Sequence, residues 1–197
     1  MSKNDLKFIT IIGAAVGLLI QPILANVLPS NFQNTASRIF IFAVFLILAP
    51  FALWVASVIA KIRQGIYQFA QFAAVGALNT FIDLGVLNLE IFLYGSLPGT
   101  MVFAALKTVS FLCATTNSFL WNKYWTFGSH GKADVRQVGS FYVIAAIGWA
   151  LNVGGATIVK VVGPPTGAWV DLVAPLAGVA ISFAWDFFGY KHLVFVQ

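Results

Sequence analysis

Six apolar runs of 20 to 25 residues leave this chain few ways to fold. They cover 8–28, 39–60, 69–92, 101–120, 138–162 and 169–188. A helix of about twenty such residues crosses a hydrocarbon core about 30 Å thick, and it satisfies its backbone polar groups without water. The connecting stretches, 29–38, 61–68, 93–100, 121–137 and 163–168, are short, and several carry Pro, Gly or Asn turn chemistry. No stretch is left for a globular domain. The pattern predicts an all-α integral membrane protein with six transmembrane helices.

Composition removes the other classes. Hydrophobic residues make up 60% of the chain and charged ones 9%, whereas a soluble domain carries about 25% charge. Nineteen Phe, a lone cysteine and the lack of a glycine period exclude disordered, disulfide-stapled and collagenous chains. Cys113 lies in an apolar run and reads as a small buried side chain. The net charge of +5 needs no nucleic acid, because membrane proteins collect Lys and Arg in cytoplasmic loops. Lys3, Lys7, Lys61, Arg63, Lys123, Lys132, Arg136 and Lys191 fall on one side against Arg38 and Lys160 on the other. That bias predicts both termini in the cytoplasm and a multi-pass location in the cell inner membrane. The first run has the basic start of a signal peptide, but its length and its lack of a small-x-small site predict a retained helix.

Part of the sequence repeats. RQGIYQFAQFAAVGALN at 63–79 aligns on RQVGSFYVIAAIGWALN at 136–152, pairing Gln64 with Gln137 and Asn79 with Asn152. FLWNKYWTF at 119–127 aligns on FFGYKHLVF at 187–195, pairing Lys123 with Lys191 and Phe127 with Phe195. The offsets are 73 and 68 residues. Two tandem helical hairpins follow, pointing the same way as in parallel transporter repeats. Residues 1–63 show no such match and read as an additional N-terminal hairpin ahead of a four-helix domain at 64–197.

The stretches FAAVGALNTFIDLGVLNL (72–89), KTVSFLCATTNSFLWNKYWTF (107–127) and FFGYKHLVF (187–195) resemble the GtrA family. The resemblance implies a four-helix membrane protein that moves a polyprenyl-phosphate-linked sugar across the bilayer, or supports the glycosyltransferase that makes it. It does not extend to the first two helices.

Ionisable groups inside spans cost several kcal/mol if they face lipid, so Asp83, Glu90, Lys107 and Asp186 are expected to point inward. Gln68, Asn79, Asp83 and Glu90 share one stripe at about 100° per residue, which predicts a polar cavity wall. Lys107 sits about 10 Å inside its helix at 1.5 Å per residue, at the depth of Asp83. An Asp83–Lys107 pair, with Glu90 as the alternative partner, is either structural glue or a substrate site at which the lysine changes partners. At the cytoplasmic ends Asn117, Trp121, Asn122 and Lys123 close one segment, and Asp186, Tyr190 and Lys191 close another. They read either as headgroup anchors or as a site where Lys123 and Lys191 hold a lipid phosphate with Trp121 and Asn122 beside the sugar. Asn152 either faces a shared axis with Asn79 or makes an interhelical hydrogen bond. Gly13 and Gly17 predict close helix packing. The loop 127–137 reads as solvated, and Asp5, Asp134 and Asp171 as ordinary exposed acids.

His130 and His192 lack zinc-site spacing, and neither a metal nor a cofactor is expected. There is no paired nucleophile and base and no phosphate loop, so an enzyme is not expected either. Three roles remain open: a translocase (flippase) of polyprenyl-phosphate monosaccharide, a non-transporting scaffold of a membrane glycosyltransferase, and a small proton-coupled carrier using Asp83 or Glu90. Expected partners are the sugar lipid, membrane lipids, a glycosyltransferase and a second copy in a homodimer.

Overall fold

The computed structural model describes residues 1–21, 34–61, 65–94, 100–129, 131–163 and 173–195. Every regular element among them is helical: α1 (Lys3–Leu19), α2 (Thr35–Ile59), α3 (Gly65–Tyr94), α4 (Thr100–Trp121), a first π-helical turn (Asn122–Thr126), α5 (Val135–Val162), α6 (Ala174–Gly189) and a second π-helical turn (Tyr190–Val194). Three spans, Thr35–Ile59, Gly65–Ile91 and Val135–Val159, combine enough length with mean hydropathies of 2.7, 1.5 and 1.6 to cross a membrane. The protein is therefore an all-α, multi-pass membrane protein.

Polar caps set the helix starts. Ser2 Oγ accepts from the Asp5 amide at 3.1 Å while Asp5 Oδ2 accepts from the Ser2 amide at 2.8 Å. This capping box satisfies two orphan donors and starts α1 five residues before its apolar run. Asn34 and Asp134 cap α2 and α5 by accepting from the amides of Ser37 and Gln137 at 2.9 and 2.6 Å.

The chain forms two compact units, Met1–Gly128 and Ser129–Gln197. In the first, α1 and α2 meet through glycine: a Cβ at Gly13 would lie 2.6 Å from the Phe45 carbonyl oxygen, and one at Gly17 3.0 Å from the Phe42 ring. The spacing thus serves packing, as expected. Ile9, Ile12 and Val16 of α1, Leu53 of α2, Val75 and Leu78 of α3 and Trp125 of the first π turn form a single buried cluster. The N-terminal hairpin accordingly shares a core with residues 65–128. Against expectation, Cys113 is exposed on α4.

In the second unit α5 and α6 approach closely at small residues. A Cβ at Gly148 would collide with the Asp186 carboxylate, one at Gly178 with the Asn152 carbonyl, and one at Gly189 with Ile144. Phe141 is fully buried and stacks on Tyr190 at 4.2 Å.

Candidate functional site

The stretch from Trp121 onward was expected to be loop, but its first residues continue the helix as a π turn. Phe127 N–H bonds to Asn122 O at 2.8 Å, and Phe195 N–H bonds to Tyr190 O at 2.8 Å in the second unit. Such i→i+5 turns insert a residue into the helical ladder and often mark functional positions. Here they fall on the two segments that align in sequence, with Lys123 and Lys191 each second in its turn.

The likeness extends to the helix facing each turn. Gln68 Nε2 donates to the Thr126 carbonyl at 3.2 Å, and Gln137 Nε2 donates to the Val194 carbonyl at 3.2 Å. Phe72 meets Phe127 at 6.4 Å and Phe141 meets Phe195 at 6.0 Å, ring centroid to ring centroid. Asp83 and Asn152 each meet a serine of the following helix, Ser110 at 2.7 Å and Ser182 at 3.2 Å. All three pairs stand 69 residues apart (68 to 137, 72 to 141, 83 to 152). In these contacts Gln68 corresponds to Gln137, whereas the sequence alignment sets Gln64, about one helical turn away, opposite Gln137. Gln64 itself lies outside the described residues.

The first π turn is the more polar of the two. Asn122 and Lys123 are 0% and 1% exposed, and Thr126 is also buried. The Lys123 side chain is enclosed rather than spread at a surface, with its ammonium 5.7 Å from the Tyr124 ring centroid. Lys191 is half-buried, with its ammonium 5.8 Å from the Phe187 ring centroid. Asn122 Nδ2 donates to Ser118 Oγ at 3.1 Å, but Asn122 Oδ1 and Thr126 Oγ1 are buried and have no hydrogen-bond partner among the described residues. Buried polar atoms are normally paired. Trp121, expected beside a sugar, packs edge-on against Phe8 at 5.6 Å and Trp125 at 5.8 Å.

Sequence reasoning missed a second anchor on this turn. Asp5 Oδ1 accepts from Trp125 Nε1 at 2.9 Å and from Gln71 Nε2 at 3.3 Å. Burial raises the Asp5 pKa, but the hydrogen bonds from Ser2 and Trp125 outweigh it and hold the carboxyl below its ordinary value of 3.8. Asp5 is thus no ordinary exposed acid. The Ser-x-x-Asp capping pattern at 2–5 was its only signal in the sequence.

Three members of the predicted polar stripe bond toward α4 and the turn that follows it. Asn117 Nδ2 donates to Asn79 Oδ1 at 2.7 Å, Ser110 Oγ to Asp83 Oδ1, and Gln68 reaches the π turn. Asn152 is likewise used between helices. The Lys107 side chain lies outside the described residues, and so does the expected Asp83–Lys107 pair. Glu90 Oε2 and Asp186 Oδ1 are buried without a partner among the described residues. Asp186 sits in the notch that Gly148 leaves, while Trp185 Nε1 donates to the Ile144 carbonyl at 3.1 Å one turn away. His130 and Asp171 lie outside the described residues, and no cluster of metal-ligating side chains occurs among those described.

A family model described as "GtrA/DPMS, transmembrane domain" matches residues 71–195. That range takes in both π turns and both capping phenylalanines, while α1 and α2 precede it. The chain is also 30% identical over 83 residues to the uncharacterized membrane protein YngA of Bacillus subtilis (strain 168). This alignment covers 42% of the chain and 52% of that relative, about half of its length. With well over half of its residues inside the family match, the chain belongs to the GtrA family.

Proposed function

We propose that this protein translocates a polyprenyl-phosphate-linked monosaccharide from the cytoplasmic to the outer leaflet of the cell inner membrane, without catalysis of its own. In this reading six helices span the bilayer, both termini are cytoplasmic, and the last four helices are tandem hairpins whose π turns lie at the cytoplasmic face. The observation that carries it is the first π turn, where Asn122, Lys123 and Thr126 are enclosed together and two polar atoms have no hydrogen-bond partner among the described residues. An ammonium beside amide and hydroxyl groups suits a sugar phosphate. The matching turn at Tyr190–Val194, with Lys191, supplies a second position of the same kind.

The test is headgroup accessibility in proteoliposomes holding purified protein and polyprenyl-phosphate sugar, with no glycosyltransferase. Movement faster than in protein-free vesicles, and slowed roughly tenfold by Lys123→Met, is the expected result; a tenfold change corresponds to about 1.4 kcal/mol of barrier. Equal rates with and without protein would remove the translocase reading.

A second reading has its own observation. Gln68, Asn79, Asp83 and Asn117 spend their polar groups between helices, an arrangement suited to a rigid scaffold for a membrane glycosyltransferase. Stimulation of that enzyme's activity by a protein that moves no lipid would favour the scaffold.

A further inference from the structure

Between α1, α2 and α3 lies a groove of about 340 Å³ whose walls are almost wholly apolar. Ile9 and Val16 line it from α1, Phe45 and Leu53 from α2, and α3 contributes Ala70, Ala73, Ala74, Ala77 and Phe81. We infer that this groove seats the isoprenoid tail of the polyprenyl phosphate, an inference that rests on the lipid-linked substrate proposed above and assigns the N-terminal hairpin a part in binding it.

Depth, shape and charge point to that occupant. From Ala70 to Phe81 the groove follows α3 for about 16 Å at 1.5 Å per residue, roughly half of a 30 Å hydrocarbon core. An apolar cavity of about 150 Å³ already stays dry and takes up benzene; this one is more than twice as large. At that depth hydrocarbon is the available filler. The α3 wall of the groove carries Ala70, Ala73, Ala74 and Ala77, small side chains on successive turns, which leaves room for the methyl branches of an isoprenoid chain.

One end of the groove is basic. Helix α1 starts at the Asp5–Trp125 contact, and α2 runs antiparallel to it, with Gly13 against Phe45 and Ala49, and Gly17 against Phe42. Lys61, just past α2, therefore returns to the end that carries Lys3 and Lys7, and all three are exposed. The first π turn, with Lys123, sits at the same end through Trp125. An anionic headgroup held there places its tail at the mouth of the groove, beside Ile9 and Ala70.

Photolabelling the full-length protein in bilayers with a diazirine-bearing polyprenyl phosphate tests the assignment. Label is expected on α1, α2 and α3 at the groove-lining positions, competed by unlabelled polyprenyl phosphate and not by phosphatidylglycerol. Ala73→Phe is expected to cut the labelling about tenfold, equivalent to 1.4 kcal/mol of binding; Ala73→Leu fills the groove less and serves if the larger side chain prevents folding. Label spread over the lipid-facing surface, or equal competition by phosphatidylglycerol, overturns the inference. Groove labelling with no headgroup movement in the accessibility assay would leave the tail seat standing and remove translocation; movement without groove labelling would do the reverse.

Discussion

Trp125 Nε1 donates to Asp5 Oδ1 at 2.9 Å across 120 residues of sequence, joining the first turn of the N-terminal hairpin to the π turn of the family domain. Gln71 bonds the same oxygen, and Phe8, Trp121 and Trp125 close edge to face around it. Trp125→Phe keeps most of the ring packing and removes the donor. A loss of about 1 kcal/mol is expected, read as a lower melting temperature in detergent. Asp5→Ala, which also removes the α1 capping box, is expected to lose more, about 2 kcal/mol.

The same carboxylate sets a pH dependence. Its folded-state pKa lies below the ordinary 3.8, so its contribution is fully present above that value and fades as pH falls through the depressed one. The difference in melting temperature between wild type and Asp5→Asn is expected to hold from pH 7 to pH 5 and to shrink below pH 4. A difference that grew on acidification would contradict the hydrogen-bonded carboxylate.

Gln68 and Gln137 make the same bond to the two π turns. Alanine at either position leaves a carbonyl of the turn without its side-chain donor, at a cost of about 1 kcal/mol. Hydrogen exchange localises the effect: Gln68→Ala is expected to speed exchange at the Phe127 amide and Gln137→Ala at the Phe195 amide, each without affecting the other. Uniform acceleration at both amides would argue against separate caps.

Gly148 and Gly178 separate a side-chain clash from a backbone one. Gly148→Ala drives a methyl into the Asp186 carboxylate, and Gly178→Ala drives one into the Asn152 carbonyl. Each is expected to destabilise the protein by about 1–3 kcal/mol. Adding Asp186→Ala should recover most of the Gly148→Ala loss and none of the Gly178→Ala loss, as a double-mutant cycle of melting temperatures would show.

Ser110→Ala removes a donor from Asp83 inside the α3–α4 contact and is expected to cost about 1–3 kcal/mol. Asp83→Asn keeps an acceptor for Ser110 and should leave stability nearly unchanged. Proteoliposome transport by Asp83→Asn at wild-type rate fits a packing role for Asp83; loss of a proton-gradient dependence would instead place it on a proton path.

Much of the fold could be read from the sequence because lipid enforces it: α2 to α5 fall within a few residues of the apolar runs, since hydrophobic length alone decides where a chain enters and leaves hydrocarbon. The π turns were hidden because Asn122, Lys123 and Thr126 look like exit-loop residues, and only the i→i+5 bond to Phe127 shows that they are wound in and buried. The like bonds of Gln68 and Gln137 were invisible for a related reason: each reaches a carbonyl 58 or 57 residues away, which only tertiary packing brings near. Asp5 shows the other limit: its capping box is local and legible, whereas its bond to Trp125 is a property of tertiary packing.

That long separation bears on how the protein is made. Asp5 is synthesised 120 residues before Trp125, so α1 to α3 are made while the carboxylate still lacks its indole donor. The N-terminal turn is completed only once α4 has been made and its end has wound into the π turn. A nascent chain stopped short of Trp125 therefore carries an unfinished polar contact beside Phe8.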